Sequence, residues 1–224
     1  MQCANDVAVD TEGNVYVTNC KANFLWKVTK DGNPSVFVKD VEFTSQPIIV
    51  DSPPIAVTCG LNGIVFHKNG YLLVSQTNSG ALFRVTLNPK SVHLVTMEEK
   101  LPMADGMALR EDGTLVVVST TIVWLLRSTS NWMTAEILDT VSLNSSDFIT
   151  SVTVKRDSVY VLPSFLSHTS PRETFELREI VFPTEAGDND PLWLIGLLLL
   201  AVFVVAMWRL QMGNFYTQFK RKRA

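Results

Sequence analysis

Apolar and polar residues fall along this chain in short runs broken by Asn, Asp and Gly, and the pattern is sharpest over residues 61–76. There, Ile64-Val65-Phe66 and Tyr71-Leu72-Leu73-Val74 flank Lys68-Asn69-Gly70. Gly and Asn tolerate the positive φ of a tight turn, so two β-rich runs split by Asn-Gly predict a hairpin. A second pair, Asn62-Gly63, stands just before the first run and is not needed for that turn.

The same unit recurs. Upstream it reads Asn5-Asp6-Val7-Ala8-Val9, Glu12-Gly13, Asn14-Val15-Tyr16-Val17. Downstream it reads Asp105-Gly106-Met107-Ala108-Leu109, Asp112-Gly113, Thr114-Leu115-Val116-Val117, with a fainter copy from Thr150 through Arg156-Asp157 to Val161. The copies begin near residues 6, 63, 106 and 150, and a Pro-rich insertion lengthens the first step. Each of the first three copies has a second half, as in Leu25-Trp26-Lys27-Val28 followed by Ser35-Val36-Phe37-Val38. A period of roughly 40–45 residues with four short strands is the mark of propeller blades. Helical spacing is absent before residue 190. The chain therefore predicts an all-β β-propeller, residues 1–183, with four blades near 5–40, 62–96, 105–139 and 150–182.

After the repeats the pattern changes. An acidic linker, 184–190, precedes residues 191–208, which carry no charge. As a helix those residues would reach roughly 27 Å, enough to cross a bilayer, so a transmembrane helix is expected over 191–210. Arg209 and the tail Lys220-Arg221-Lys222-Arg223 follow it, which predicts a cytoplasmic tail (211–224) and a β domain in the lumen or outside the cell. Trp193 and Trp208 lie near the two ends, as interfacial aromatics do. The last five residues resemble a K-x-K-x-x retrieval signal, and the short span suits a thin bilayer, which favours the endoplasmic reticulum. An ordinary stop-transfer cluster has the same composition. Met1-Gln2-Cys3-Ala4 is no signal peptide, so either the terminal span inserts post-translationally or, the favoured expectation, the sequence is a fragment or short form of a longer protein.

Composition narrows the partners. A net charge of −3 gives no basis for a nucleic-acid partner. The three cysteines, 3, 20 and 59, form no disulfide framework; Cys3 and Cys20 lie symmetrically about the Glu12-Gly13 turn and are a candidate disulfide, with free buried thiols the equal alternative. Asn144-Ser145-Ser146 is a glycosylation sequon between blades. His67, His93 and His168 share no blade position and read as surface groups.

Candidate chemistry lies in the leading residues. Asn5-Asp6, Asn62-Gly63 and Asp105-Gly106 each precede the first strand of a blade, and first strands line the channel of a propeller. Amide and carboxylate oxygens converging from separate loops suit Ca²⁺ or another hard cation. The alternative is that they are turn formers between blades.

These motifs, Asn-Asp-Val-Ala-Val-Asp, Asn-Gly-Ile-Val-Phe and Asp-Gly-Met-Ala-Leu, resemble those of the gluconolactonase/regucalcin (senescence marker protein) family. Paraoxonases and strictosidine synthase-like proteins are more distant relatives. The resemblance covers about residues 3–165 and implies a six-bladed propeller with a divalent cation in its channel, acting on lactones or related esters. It implies Asn62 and Asp105 as metal ligands, with Asp105 also the catalytic acid/base. Asn5 would approach the metal or substrate, and Asp6 would support the ligands from behind. The family's remaining ligand is a glutamate from a first blade that this sequence does not supply, so a weak site is expected. Two functions stay open: a membrane-tethered lactone or ester hydrolase, and a non-catalytic lumenal binding or scaffold propeller.

Overall fold

The computed structural model describes residues 2–49, 58–144, 148–164, 173–183, 199–209 and 212. The chain divides into Met1–Thr184 and Glu185–Ala224.

The first unit is built from consecutive antiparallel sheets. Strands β1 (Ala4–Val9), β2 (Val15–Asn19), β3 (Phe24–Val28) and β4 (Pro34–Lys39) pair in chain order. So do β5 (Leu61–His67), β6 (Tyr71–Gln76), β7 (Ala81–Leu87) and β8 (Lys90–Leu94), and then β9 (Met107–Leu109), β10 (Leu115–Val118), β11 (Ile122–Arg127) and β12 (Glu136–Ser142). The fourth sheet holds β13 (Ile149–Lys155), β14 (Ser158–Pro163) and β15 (Arg178–Ile180), so it has three strands among the described residues where four were expected. The first strands neighbour one another: β1 lies beside β5, β5 beside β9, and β9 beside β13. Four blades follow in series.

Turn chemistry explains the hairpins. Gly13, Gly70 and Gly113 occupy the same place in three blades with φ of +85°, +85° and +88°. Asp10 fastens the first turn: its Oδ1 accepts the Glu12 and Asn14 amides at 2.9 and 2.8 Å, and its Oδ2 accepts the Tyr16 hydroxyl at 3.1 Å. His67 has the equivalent task in the second blade, where its Nδ1 accepts the Asn69 amide at 3.2 Å. His67 is buried rather than a surface group, because its ring stacks on Tyr71 with centroids 4.4 Å apart. Burial pushes its pKa down, helped by Lys68 and Arg84.

The core lies between blades. Tyr16, Leu25, Leu61, Ile64 and Phe83 fill the first interface; Leu73, Leu82, Leu115 and Trp124 the second; Val116, Val123, Ile149 and Val161 the third. Full burial of such a side chain contributes about 1.5–3 kcal/mol. A short helix, α1 (Glu42–Ser45), absent from the sequence reading, delivers Phe43 edge-on to Phe83 at 5.1 Å, and Gln76 Nε2 holds its carbonyl at 2.7 Å. The opposite face of the first blade is apolar yet open. Val7, Val17, Trp26 and Val36 form one cross-strand row, and Val7 and Val36 are 54% and 59% exposed.

In the second unit the described residues 199–209 are helical. Among the described residues no helix is long and apolar enough to cross a membrane. Residues 191–198 and 210 of the expected span lie outside the described residues, as do the 184–190 linker and, apart from Met212, the tail 211–224.

Candidate functional site

Asn5, Asp6, Asn62 and Asp105 line one cleft of about 160 Å³, together with Gly106, Met107, Thr150, Ser151 and Val152. Four segments meet there because each inner strand enters from the same end. Thr150-Ser151 is the fourth-blade equivalent of the Asn-Asp, Asn-Gly and Asp-Gly pairs. Pairing is irregular at these positions: the ladder slips between Ala4 and Val7, between Leu61 and Ile64, and between Ile149 and Ser151. Bulges of this kind re-aim side chains, and here they do so at the cleft.

Asn5-Asp6 lies inside β1, whereas Asp105-Gly106 stands in the connection just ahead of β9. Asn62-Gly63 lies inside β5, and Gly63 has no positive φ. A Cβ on Gly63 would stand 2.2 Å from the Asp105 carbonyl oxygen, and one on Gly106 would stand 2.7 Å from the Thr150 carbonyl oxygen. These glycines are required because neighbouring inner strands touch backbone to backbone.

Asp6 is tied up structurally. Its Oδ1 accepts the Val7 amide at 2.8 Å and its Oδ2 accepts the Ile64 amide at 3.0 Å, linking the first blade to the second. Burial raises its pKa, against those two amides. Asn62 is 4% exposed; its Nδ2 donates to Thr77 Oγ1 at 2.9 Å, while its Oδ1 is buried with no hydrogen-bond partner. A buried orphan acceptor carries a desolvation penalty that a bound donor or cation would offset. Asn5, by contrast, is exposed.

Asp105 is the most perturbed acid. Burial pushes its carboxyl up to about 7; the Asn62 side chain holds it down, and the Asp6 charge pushes it further up. A carboxyl of this kind is half-protonated near neutrality, and a cation beside it would favour the ionised form. Oxygens from Asn5, Asn62 and Asp105 fit a hard cation, although the set is poor in charge. Among the described residues there is no group of three His, Cys, Asp or Glu side chains that could hold a metal.

Three hydroxyls beneath the cleft were missed by sequence reasoning. Thr18 Oγ1 accepts the Asp6 amide at 3.0 Å and donates to the Asn62 carbonyl at 2.7 Å. Ser75 Oγ donates to the Asp105 carbonyl at 3.0 Å, and Thr77 Oγ1 to the Ala104 carbonyl at 2.8 Å. Thr18 and Ser75 end equivalent runs, Tyr16-Val17-Thr18 and Leu73-Val74-Ser75, each bonding to the leading residue of the next blade. That repeat was the available signal.

Cys3 and Cys20 sit opposite each other just beyond the ends of β1 and β2, with the Cys20 amide on the Cys3 carbonyl at 3.0 Å, yet Cys3, Cys20 and Cys59 are all free thiols here. Asn144 is exposed; Ser145 and Ser146 lie outside the described residues.

No family model matches the chain, and no curated protein matches it. Solved structures do. It is similar to the major allergen Mala s 1 of Malassezia sympodialis at 18% identity and a TM-score of 0.63, covering 79% of this chain and 55% of that one. A protein solved as a candidate gluconolactonase aligns at 16% identity and a TM-score of 0.55, covering 80% and 58%. The chain has a β-propeller fold. A streptogramin B lyase is also similar, at 15% identity and a TM-score of 0.51, covering 79% and 54%. At these identities the likeness establishes the propeller and nothing finer, and the chain spans little more than half the length of these structures.

Proposed function

We propose that this propeller is a member of the metal-dependent lactone and ester hydrolase superfamily, anchored to a membrane by residues 191–210. The supporting observation is the meeting of Asn5, Asn62 and Asp105 at one cleft, where Asn62 Oδ1 is orphaned and the Asp105 carboxyl is pushed up to about 7. Asn5, Asn62 and Asp105 would hold a calcium ion, which when bound polarises an ester carbonyl. Asp105 takes the proton of the attacking water at its carboxylate, which a bound cation would keep in the ionised, accepting form. Asp6 positions the first two blades through the Ile64 amide. The test is calorimetric titration with Ca²⁺ and turnover of a panel of γ- and δ-lactones by the full chain. With a single carboxylate among the ligands, calcium binding is expected in the weak range of about 10⁻⁴–10⁻³ M.

One observation favours a binding or scaffold propeller instead. The cleft, at about 160 Å³, is smaller than the roughly 300–1,000 Å³ of ordinary small-molecule pockets. Absence of both calcium heat and lactone turnover would decide for that reading.

The membrane proposal rests on the uncharged run 191–208 and the basic tail after it. Replacing Lys220 and Lys222 with Ser is expected to move a tagged full-length chain from the endoplasmic reticulum towards the cell surface, read by microscopy. An unchanged location leaves the tail only its stop-transfer role.

A further inference from the structure

The three free thiols converge beside the cleft, a feature that the proposed hydrolase does not use. Cys20 is 6% exposed and stands at the end of β2. Its amide bonds the Cys3 carbonyl at 3.0 Å within the first blade, and its carbonyl accepts the Gly60 amide at 2.6 Å from the entry to the second blade. Cys3 is therefore held to the Cys20 N–H directly, and Cys59 is held near its C=O through the neighbouring Gly60. The Cys20 thiol interacts with the thiols of both, and burial pushes its pKa up to about 12. Cys59 Sγ also accepts the side-chain amides of Asn5 and Asn62, each at 3.8 Å.

We propose that Cys3, Cys20 and Cys59 form a thiol–disulfide exchange site in which Cys20 bonds alternatively to Cys3 or to Cys59. A buried thiol that interacts with two other thiols, one in its own blade and one at the start of the next, has two partners for a single disulfide. Oxidation by a small disulfide such as oxidised glutathione balances: two thiols lose two protons and two electrons, one protein S–S bond forms, and two glutathione thiols are released. The remaining thiolate can then attack the bond at the Cys20 sulfur, releasing the other cysteine. Because Cys59 is an acceptor for Asn5 and Asn62, the Cys20–Cys59 bond draws a hydrogen-bond partner away from two residues lining the cleft, whereas the Cys3–Cys20 bond leaves it in place. Cys20 is enclosed, whereas Cys3 and Cys59 are half-exposed and are the thiols that a small disulfide reaches first.

The experiment equilibrates the folded full chain with reduced and oxidised glutathione, quenches it by alkylation, and maps the bonds by peptide mass spectrometry. The native chain is expected to fall from three alkylatable thiols to one, with Cys3–Cys20 and Cys20–Cys59 both present. Cys3→Ser should give only Cys20–Cys59, Cys59→Ser only Cys3–Cys20, and Cys20→Ser neither. Three thiols retained under oxidising conditions, or a Cys3–Cys59 bond in Cys20→Ser, would overturn the proposal. So would a native chain in which only one of the two Cys20 bonds is found. Serine variants are near-isosteric, and the circular dichroism of each reduced variant identifies any that fails to fold. None of these outcomes depends on whether the chain hydrolyses lactones.

Discussion

An Asp105→Asn chain is expected to lose lactone turnover by about 10²–10⁴-fold, the contribution of a positioned acid/base, while becoming more stable than the native chain above pH 7. The two effects have one cause. The ordinary aspartate value is 3.8, and in the folded chain burial pushes Asp105 up to about 7. Below pH 3.8 the carboxyl is protonated whether the chain is folded or not, and the substitution should be close to neutral. Between 3.8 and 7 the folded chain keeps a proton that the unfolded chain has released, so native stability falls as pH rises. Above 7 the loss is complete. Asparagine has no charge to desolvate, and its advantage should grow through that window and then level at roughly 2–4 kcal/mol, towards the lower figure because the carboxyl is partly solvated. Urea unfolding at pH 4, 6 and 8 in a chelator measures it. A stability difference that does not change with pH would show that Asp105 is ionised throughout. Saturating calcium should reverse the order in favour of the native chain.

The second large effect comes from Gly63→Ala. The added Cβ would lie 2.2 Å from the Asp105 carbonyl oxygen, 2.9 Å from Met107 Cγ and 3.0 Å from Ser75 Oγ. The nearest atom is backbone, so relief requires the second and third blades to part at the cleft. Overpacking costs about 1–3 kcal/mol, and a clash with fixed backbone stands at the top of that range. In a domain of this size that lowers the melting temperature by roughly 6–12 °C. Calcium binding should vanish with it, since Asp105 moves. Gly70→Ala is the control. Nothing lies within 4 Å of its Cβ, and its φ of +85° costs about 1–2 kcal/mol without touching the cleft. If both variants lost stability equally while keeping calcium binding, Gly63 would be an ordinary strand glycine.

The contrast between these glycines shows what a linear sequence can and cannot reveal. Gly70 was legible: a turn residue between two apolar runs has a local cause, positive φ, and local causes are written in neighbouring residues. Gly63 was not. It was placed before a strand and lies within one, and its cause is a carbonyl 42 positions away on the next blade. His67 shows the same limit. Its hairpin position was legible, but its burial against Tyr71 depends on a stacking contact that the spacing of histidines does not encode.

By itself the sequence determined the all-β class, the four-fold repeat and the set Asn5, Asp6, Asn62 and Asp105, because period-2 alternation and a fixed offset from each turn are properties of the chain. The tertiary structure decided what those residues can do. Only the juxtaposition of inner strands buries Asp105 enough to push its carboxyl to about 7, consumes both Asp6 oxygens on backbone amides, and leaves Asn62 Oδ1 without a partner. It also decided that three cysteines separated by up to 56 positions meet around Cys20. Burial and proximity are set by contacts between blades, and those contacts join residues that no local pattern relates.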